Sequence, residues 1–441
     1  MRPDLIETLR CPYTGSAFSV AAAARESDQG IEFGVVRSEG GDFPIVGGIL
    51  RLLPDRLQEP LVDLVRQGRF ELARLAALDV PYPTRWGSLA ESAIRMARLS
   101  DPRRPFFISN PNRRRLNRLI TQPGATFSDR VSEAGPEGWS QWQSYRFSMP
   151  TFLPVYPLAH LARGRRRILD FGCGLGHSTF LMQRLAGDAA TIIAADYSFT
   201  SLALAKRFLV PGSPCICLDG DFPMPFPDKH FDLVFSTDAM QYIESKVALA
   251  RDFGRILTRD GTIALAHLHN RLSPSRTGKS LTPVGYDGIF AGMRRRLYPE
   301  ESLVADYVAD GVLDLDKRHS PDDLNRQLRG VSVVAAHADA AFTTRTGLCD
   351  AYIDAMRHPH LNPIYRAQPG AGSMALERGI GEPFAIGQTV QGIEVLPQTW
   401  RVGVPSLERQ AILAMRDRDR PALRELIRRF LVLDMPEAFY A

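Results

Sequence analysis

Cysteine, long apolar runs and an excess of one charge are all scarce in this chain of 441 residues. Its five cysteines are scattered without a Cys-x-x-Cys pair, which argues against a disulfide framework and is typical of reduced cytoplasmic thiols. No apolar run approaches the roughly 18 residues that a membrane span needs. The first ten residues carry acids where a signal peptide would have an apolar core. We therefore expect a cytoplasmic protein without a transmembrane segment.

The composition is that of a globular protein, with 44% hydrophobic and 23% charged residues. This excludes a wholly disordered chain and a collagen. The net charge of +5 is small, but arginines cluster at 113–115, 165–167 and 294–296. Two interpretations remain open: a solvated surface, or a patch that faces an anionic ligand.

The chain divides into four predicted parts. Residues 1–58 are predicted to form a small β-rich unit, and residues 59–150 a helical linker or lid. Residues 151–345 are predicted to form the core, with a long insertion at 271–330 before the chain returns to the sheet near Val331. Residues 346–441 are predicted to be a helical extension, since two amphipathic patterns close the chain.

Strand and helix patterns alternate through the core. The predicted strands cover 167–171, 191–195, 215–218, 231–236 and 262–267. Alternation of this kind predicts an α/β fold with a doubly wound, Rossmann-like parallel sheet and right-handed crossovers.

A glycine-rich loop follows the first of these strands. The strand ends at Asp170, and the loop continues as Gly172-Cys173-Gly174 with Gly176 before a helix start. Glycines let the backbone turn sharply and approach a ligand without a Cβ in the way. A glycine loop alone is weak evidence, because purely structural turns share it.

Acids end the next two strands. Asp196, followed by Tyr197, is placed to accept both hydroxyl hydrogens of a ribose. Asp219 and Asp221 flank Gly220 after the third strand, where a carboxylate can accept a hydrogen bond from an adenine amine. Each acid taken singly is as well explained by capping of the backbone, but their order and spacing together indicate a nucleoside site.

Residues 165–270 resemble the core of class I S-adenosylmethionine-dependent methyltransferases. The resemblance implies that S-adenosylmethionine is the cofactor, with its methionine end at Asp170 and the glycine loop. It implies the ribose at Asp196 and the adenine at Asp219 or Asp221. The residues expected at the cofactor are Asp170, Gly172, Cys173, Gly174, Gly176, Asp196, Tyr197, Asp219, Gly220, Asp221 and Ser236. The segment 255–261 resembles the family's Arg-Val-Leu-Lys-Pro-Gly-Gly turn but departs from it at Arg259 and Asp260.

The N-terminal unit resembles the small zinc-ribbon activator subunit of tRNA and protein methyltransferases, through 5–15 and 43–49. Zinc ribbons need about four Cys or His ligands. Here Thr14 stands where a second cysteine would, and residues 16–58 contain neither Cys nor His. We therefore expect no metal in this unit and a core position for the Cys11 thiol.

Two histidines are the candidate catalytic residues. His267 and His269 lie at the end of the fifth predicted strand, and strand alternation places them on one face toward the cofactor crevice. A hydroxyl acceptor needs a base of near-neutral pKa. The alternatives are that both histidines bind loop backbone, or that they form a metal pair, for which no third ligand is apparent. We therefore predict no metal.

Aromatic residues precede the first strand of the core. Trp139, Trp142 and Tyr145 could cover the cofactor as a lid, or could form an ordinary aromatic core.

The predicted function is methyl transfer from S-adenosylmethionine to a small-molecule, saccharide or lipid-linked biosynthetic intermediate. Oxygen is the favoured acceptor atom, and nitrogen and carbon stay open. The insertion is expected to form much of the acceptor pocket with Arg271, Arg276, Lys279, Tyr286, Phe290 and the arginines 294–296. It could instead be a dimerisation arm, and a homodimer stays open.

The alternatives are an RNA methyltransferase and a non-catalytic scaffold that keeps the cofactor site. Nucleic acid is the less favoured partner, because the segment after the fourth strand lacks an Asn-Pro-Pro-Tyr-like motif for a flipped base.

Overall fold

The computed structural model describes residues 1–78, 111–127, 143–273, 278–327, 330–370, 372–379 and 396–437. No helix within these ranges is both long and apolar enough to cross a bilayer.

The strands of the described residues assemble into one large sheet and three small ones. Their bounds in chain order are β1 (Ser19–Ser27), β2 (Gly30–Ser38), β3 (Gly41–Val46), β4 (Ile49–Arg51), β5 (Arg167–Phe171), β6 (Thr191–Asp196), β7 (Cys215–Cys217), β8 (Phe231–Thr237), β9 (Leu257–Leu268), β10 (Arg294–Pro299), β11 (Leu313–Asp314), β12 (Val331–Ala336), β13 (Thr344–Arg345), β14 (Pro359–Leu361), β15 (Tyr365–Gly370), β16 (Ser373–Arg378), β17 (Thr399–Val402) and β18 (Val432–Asp434).

Helices cover both faces of the large sheet. Their bounds are α1 (Pro3–Thr8), α2 (Gln58–Arg66), α3 (Phe70–Ala77), α4 (Pro111–Thr121), α5 (Val155–Ala159), α6 (His177–Ala186), α7 (Phe199–Leu204), α8 (Lys246–Ile256), α9 (Pro283–Ile289), α10 (Glu300–Asp310), α11 (Pro321–Asn325), α12 (Leu348–Ala355), α13 (Arg409–Arg418) and α14 (Arg420–Arg428).

The large sheet has the strand order β1-β2-β3-β4-β7-β6-β5-β8-β9-β12-β10. From β4 to β9 all neighbours pair in parallel, and the strands outside this block pair antiparallel. Within the block the order runs outward from β5 through β6 and β7 on one side and through β8 and β9 on the other. This confirms the α/β, Rossmann-like fold, and the reversal at β5 opens a crevice at the carboxyl ends of the strands.

Neighbouring residues of the central strands enter two separate cores, because side chains alternate between the faces of a strand. Ile168 of β5 and Ile192 of β6 belong to one buried cluster, and Leu169 and Ile193 to the other. The first core includes α5, α6 and the residues after 346. The second includes α8, α9 and the N-terminal eighteen residues.

The predicted N-terminal unit continues the large sheet. Gly47 and Gly48 form a two-residue hairpin between β3 and β4, with φ of +59° and +77°. β4 then pairs in parallel with β7, placing Ile49 opposite Cys215. Since these strands share a ladder with the core, the sheet crosses the boundary expected at residue 58.

Two elements differ from the sequence predictions. The fifth core strand begins at Leu257 rather than at Thr262, so the segment resembling a turn at 255–261 runs mostly within β9. The chain returns to the sheet at Arg294 and not at Val331, since β10 pairs antiparallel with β12. This edge strand begins with three arginines, and only its second half is buried. The sequence therefore contains no hydrophobic pattern from which the strand could be predicted.

The residues after 346 contain more strand than expected. β15, β16 and β17 form a three-stranded antiparallel sheet, and β14 pairs with β18. The helical part packs on the core through α12, which contacts α6. The predicted α-rich extension is therefore a mixed one.

One buried ion pair ties this extension to the core. Asp434 is fully buried and accepts hydrogen bonds from the backbone of Arg357 and His358 and, at 3.0 Å, from the Arg184 guanidinium of α6. Burial raises the pKa of Asp434, and Arg184 opposes that rise.

We expect Arg184→Met to lower the free energy of unfolding by about 3 kcal/mol, because it leaves a buried carboxylate without its counter-charge. Arg357→Met is the matched control: its side chain is 53% exposed and pairs at the surface with Asp188, so it should cost under about 1 kcal/mol. Urea unfolding of both variants measures the difference. Equal losses would contradict a stabilising role for the buried pair.

Candidate functional site

A cavity of about 680 Å³ opens at the carboxyl ends of β5, β6 and β8. The loops after these strands, the loop after β7 and the segment before α5 line it. The lining residues are Gln143, Arg146, Phe152, Phe171, Gly172, Cys173, Gly174, Leu175, His177, Ser178, Asp196, Tyr197, Ser198, Leu218, Asp219, Gly220, Asp221, Thr237, Asp238, Ala239, Tyr242 and Ile243. Most of the predicted cofactor residues are therefore brought together at one cavity.

The glycine loop takes a backbone path that side chains would block. Gly172, Gly174 and Gly176 have φ of +67°, +55° and +85°. A Cβ on Gly172 would lie 2.3 Å from the Cβ of Ala239, in the loop after β8. The loops after β5 and β8 can approach this closely only because residue 172 is glycine.

Three predicted cofactor residues, Asp170, Gly176 and Ser236, are not among the residues that line the cavity. Asp170 is fully buried and accepts hydrogen bonds from Ser178 Oγ (2.7 Å) and Thr179 Oγ1 (2.5 Å) of α6. Burial raises its pKa to about 7, against the effect of these two hydroxyls. Ser236 is also buried, and its hydroxyl has no hydrogen-bond partner among the described residues. In this structure Asp170 joins the glycine loop to α6.

Asp196 lies on the cavity wall at the end of β6. Its Oδ2 accepts from the backbone N–H of Gly174 and its Oδ1 from that of Ser198, both at 2.8 Å. These bonds hold the carboxylate in place at the cavity wall. Tyr197 follows with 63% of its surface exposed, beside the cavity.

The two candidate adenine acids differ in their partners. Asp221 Oδ1 accepts from the backbone N–H groups of Glu244 (2.8 Å) and Ser245 (2.6 Å), just before α8. Asp219 accepts only from the backbone N–H of Asp221 among the described residues, at 2.9 Å. Both line the cavity, but the Asp221 carboxylate is already engaged by two backbone N–H groups before α8.

His267 is buried and paired with an acid from a distant element. Its Nδ1 lies 2.9 Å from Glu300 Oε2, at the start of α10, and its backbone N–H donates to Glu300 Oε1 at 2.6 Å. Burial by itself would lower the pKa of His267, but the charge of Glu300 and its hydrogen bond outweigh burial and raise it. The backbone at His267 has φ of +52°, a left-handed conformation that is strained for a residue with a side chain.

Asp238 connects the histidines to the cavity. His269 Nε2 lies 3.2 Å from Asp238 Oδ1, and the His267 and His269 rings are 5.0 Å apart. Asp238 also accepts from Arg146 Nη2 at 3.2 Å and from Gln241 Nε2 at 2.5 Å. Burial opposes ionisation of Asp238, but the hydrogen bond from His269 and the positive charges around it lower its pKa below the usual range. Asp238 lines the cavity, and the histidines lie behind it.

Asp238, His267 and His269 are also a cluster that could hold a metal ion. Their candidate ligand atoms all lie within 4.8 Å of one another. The sequence showed the two histidines without a third ligand, and Asp238 fills that place. Together with Glu300, the same three groups form a hydrogen-bonded acid–base network, in which each imidazole has its own carboxylate.

Four further residues of this network escaped the sequence analysis. Arg146 and Gln241 are buried, and Asp238 has a φ of +58° immediately after β8. Position after a parallel strand could have marked Asp238 as a candidate. Nothing in the sequence could have paired Glu300 with His267, which is 33 residues away.

The remaining predictions about the surroundings of the site have mixed outcomes. Of the proposed aromatic lid, Tyr145 is half-buried against the first core, and Trp139 and Trp142 lie outside the described residues. Tyr286 and Phe290 are buried in the second core and do not line an acceptor pocket.

Two of the arginines expected around an acceptor are instead paired with acids. Arg295 pairs with Asp287 and Arg296 with Asp316, so both stabilise the β10 edge and are not free for a substrate. Arg276 lies outside the described residues.

We expect the purified protein to contain well under one zinc ion per chain, because Cys11 is the only Cys or His among residues 1–58. Plasma mass spectrometry of the protein, before and after dialysis against a chelator, measures the metal. Stoichiometric zinc that disappears in Cys11→Ser but persists in His269→Ala would contradict a metal-free N-terminal unit. The converse pattern would place the ion at Asp238, His267 and His269.

Comparison with known proteins agrees with this geometry. A family model described as a methyltransferase domain matches residues 169–265. The 2-phytyl-1,4-naphtoquinone methyltransferase of Synechococcus elongatus is 28% identical over 112 residues, covering 24% of this chain and 48% of that protein. The malonyl-[acyl-carrier protein] O-methyltransferase of Halorhodospira halophila is 32% identical over 104 residues, covering 23% and 34%.

Among solved structures, an S-adenosylmethionine-dependent methyltransferase from Aquifex aeolicus is similar, at 13% identity and a TM-score of 0.33. The match covers 45% of this chain and 98% of that one. The chain spans about half or less of the length of these two curated relatives. The matched segment contains the glycine loop, Asp196, Asp219 and Asp238, and residues 169–265 of this chain are a methyltransferase domain.

Proposed function

We propose that the protein transfers a methyl group from S-adenosylmethionine, bound in the cavity at the reversal of strand order, to a small biosynthetic acceptor. The observation that carries the proposal is the convergence of the glycine loop, Asp196 and Asp219 on one cavity. Three separate strands supply these groups in the order that a methionine, a ribose and an adenine would need.

The residues present fit that cofactor. The glycine loop is a surface without side chains, and it suits the methionine end. Asp196 is held at the cavity wall by two backbone N–H groups, and a carboxylate in that place is a hydrogen-bond acceptor suited to ribose hydroxyls. Since Asp221 binds the backbone before α8, Asp219 is the better candidate for the adenine amine.

The cofactor, when bound, supplies an electrophilic methyl group on a sulfonium, and in-line transfer leaves S-adenosylhomocysteine. A hydroxyl acceptor forms its new bond to carbon and must lose a proton. His267 and His269 are the candidate bases, with Asp238 between them and the cavity. Alignment in a site closed to water supplies much of the remaining rate enhancement.

The acceptor is proposed to be a small molecule, a saccharide or a lipid-linked intermediate, methylated on oxygen. Support comes from His267 and His269, because a hydroxyl acceptor needs a general base more than a stronger nucleophile does. The names of two relatives describe a naphthoquinone methyltransferase and an O-methyltransferase for a carrier-bound malonyl group.

We expect Asp196→Ala to weaken binding of S-adenosylmethionine by about 1.5–3 kcal/mol, the scale of a charge-assisted hydrogen bond. Titration calorimetry with S-adenosylhomocysteine as the stable probe measures this change. Asp188→Ala removes a carboxylate that is 81% exposed and outside the cavity, and it should leave the affinity unchanged.

A folded Asp196→Ala protein of unchanged affinity would contradict the ribose assignment. A wild-type protein that binds no S-adenosylhomocysteine would contradict the proposed function as a whole.

We expect Glu300→Gln to lower the pKa of His267, because the carboxylate that raises it is gone. In the wild type His267 therefore stays protonated to higher pH than an isolated histidine, and in the variant it deprotonates at lower pH. NMR titration of labelled imidazoles follows this directly, with Glu301→Gln, an exposed neighbour, as the control.

With an acceptor in hand, the acidic limb of the pH–rate profile of Glu300→Gln should move to lower pH if His267 is the base. An unchanged His267 titration in this variant would show that Glu300 does not tune it.

A further inference from the structure

A second and larger concave surface lies beside the cofactor cavity. This basic groove has a volume of about 1110 Å³ and is walled by the start of α8 and by the segment that leads into and through α9. Its lining residues are Glu244, Ser245, Lys246, Val247, Ala248, Arg251, Arg271, Gly278, Lys279, Ser280, Leu281, Gly285, Gly288 and Ile289. Four of these residues are cationic and one is acidic, so the groove has a positive potential.

Lys246 is the most informative of these cations. Lys246 lines the groove although the residue is only 5% exposed, and its ammonium donates to the backbone carbonyl of Ile243. An ammonium has three N–H donors, and the other two have no acceptor among the described residues. Burial lowers the pKa of Lys246, partly offset by the charge of Asp221. An anion in the groove would add to the counter-charge of Asp221 and would accept from the remaining N–H donors.

Arg251 adds a guanidinium without a local partner. It is exposed on α8, one turn and a half after Lys246, and makes no ion pair or hydrogen bond within the described part of the chain. Lys279 is already paired with Glu244 on the opposite wall. Lys246 and Arg251 are therefore the cations best placed to bind a ligand, with Arg271 at the rim.

The start of α8 does not itself provide the anion site. The backbone N–H groups of Glu244 and Ser245 are bound by Asp221. Contacts to an anion in the groove must therefore come from side chains.

Apolar side chains share the groove with the cations. Val247 is 50% exposed, and Leu281 and Ile289 line the facing wall. A ligand that fits this surface has an anionic group and a hydrophobic part.

One segment separates the groove from the cofactor cavity. Tyr242 and Ile243 line the cavity, and the next five residues, Glu244 to Ala248, line the groove. The backbone N–H of Lys279 donates to the Gln241 carbonyl at 2.6 Å and joins the far wall of the groove to this partition. A single elongated acceptor can therefore reach both spaces.

We propose that the basic groove binds a phosphate or carboxylate group of the methyl acceptor, through Lys246 and Arg251, while the rest of the acceptor extends toward the cofactor cavity. This inference rests on the proposed methyl transfer and narrows its acceptor to an anionic small molecule with an apolar part. It also assigns to Arg271 and Lys279 the acceptor-side position expected from the sequence.

The test uses inorganic pyrophosphate as the probe and the full chain. Titration calorimetry at low salt should show saturable binding to the wild type. Arg251→Glu and Lys246→Met should each weaken that binding at least tenfold. Arg259→Glu is the matched control, since Arg259 is exposed at the opposite end of β9 and its substitution makes the same charge change as Arg251→Glu. It should leave pyrophosphate binding unchanged.

S-adenosylhomocysteine affinity is measured on the same four proteins and separates the two proposals. Unchanged cofactor affinity with loss of pyrophosphate binding in the groove variants supports the groove. Pyrophosphate binding that Arg251→Glu and Lys246→Met leave intact, or that Arg259→Glu weakens equally, overturns it while the cofactor proposal stands.

A third result would also overturn the proposal: the wild type binds no pyrophosphate but co-sediments with phosphatidylglycerol vesicles, and Arg251→Glu abolishes the co-sedimentation. The groove would then be a membrane-docking surface. Once an acceptor is identified, Arg251→Glu should raise KM with little change in kcat.

Discussion

The pairing of β5 with β6 on one side and β8 on the other is the constraint on which the site depends. Because the connections leave β5 in opposite directions along the sheet, the loops after β5 and β8 diverge at the carboxyl edge and leave a cavity between them. Their closest approach is where Gly172 passes Ala239, and any side chain at residue 172 would force them apart. The glycine loop, Asp196 and Asp238 thus face the cavity because of strand order.

Buried charge is the second organising feature. Asp238 has three donors in Arg146, Gln241 and His269, and His267 has its own partner in Glu300. An unpaired carboxylate at these positions would be costly to bury, so each charged group depends on the placement of the others. Because Arg146 precedes the core and Glu300 follows β10, the network also fixes these outer segments around the cavity. Two strained residues, Asp238 and His267, have positive φ in this network, where the surrounding hydrogen bonds hold them.

The basic groove and the cofactor cavity meet at the short segment between β8 and α8. Asp221 holds the end of this segment from the cofactor side, and Lys279 contacts its start from the groove side. A shift of this segment would therefore change the walls of both the cofactor cavity and the basic groove. This arrangement places the proposed acceptor site at the edge of the matched segment, which supplies Lys246 and Arg251, while the facing wall comes from residues 271–289.

Local pattern in the sequence determined the parallel core, the hairpin at Gly47-Gly48, the glycine loop and the acids at the ends of β6 and β7. These features depend on hydrophobic periodicity, on glycine geometry and on position after a strand, all of which act over a few residues. The same reasoning missed β10, whose arginines look solvent-exposed, because only pairing with β12 buries its second half.

Only the tertiary structure joined Glu300 to His267, brought Arg146 to Asp238 and gathered Lys246, Arg251 and Lys279 into one groove. Such contacts depend on how distant elements pack, and no local periodicity records which buried charge meets which partner.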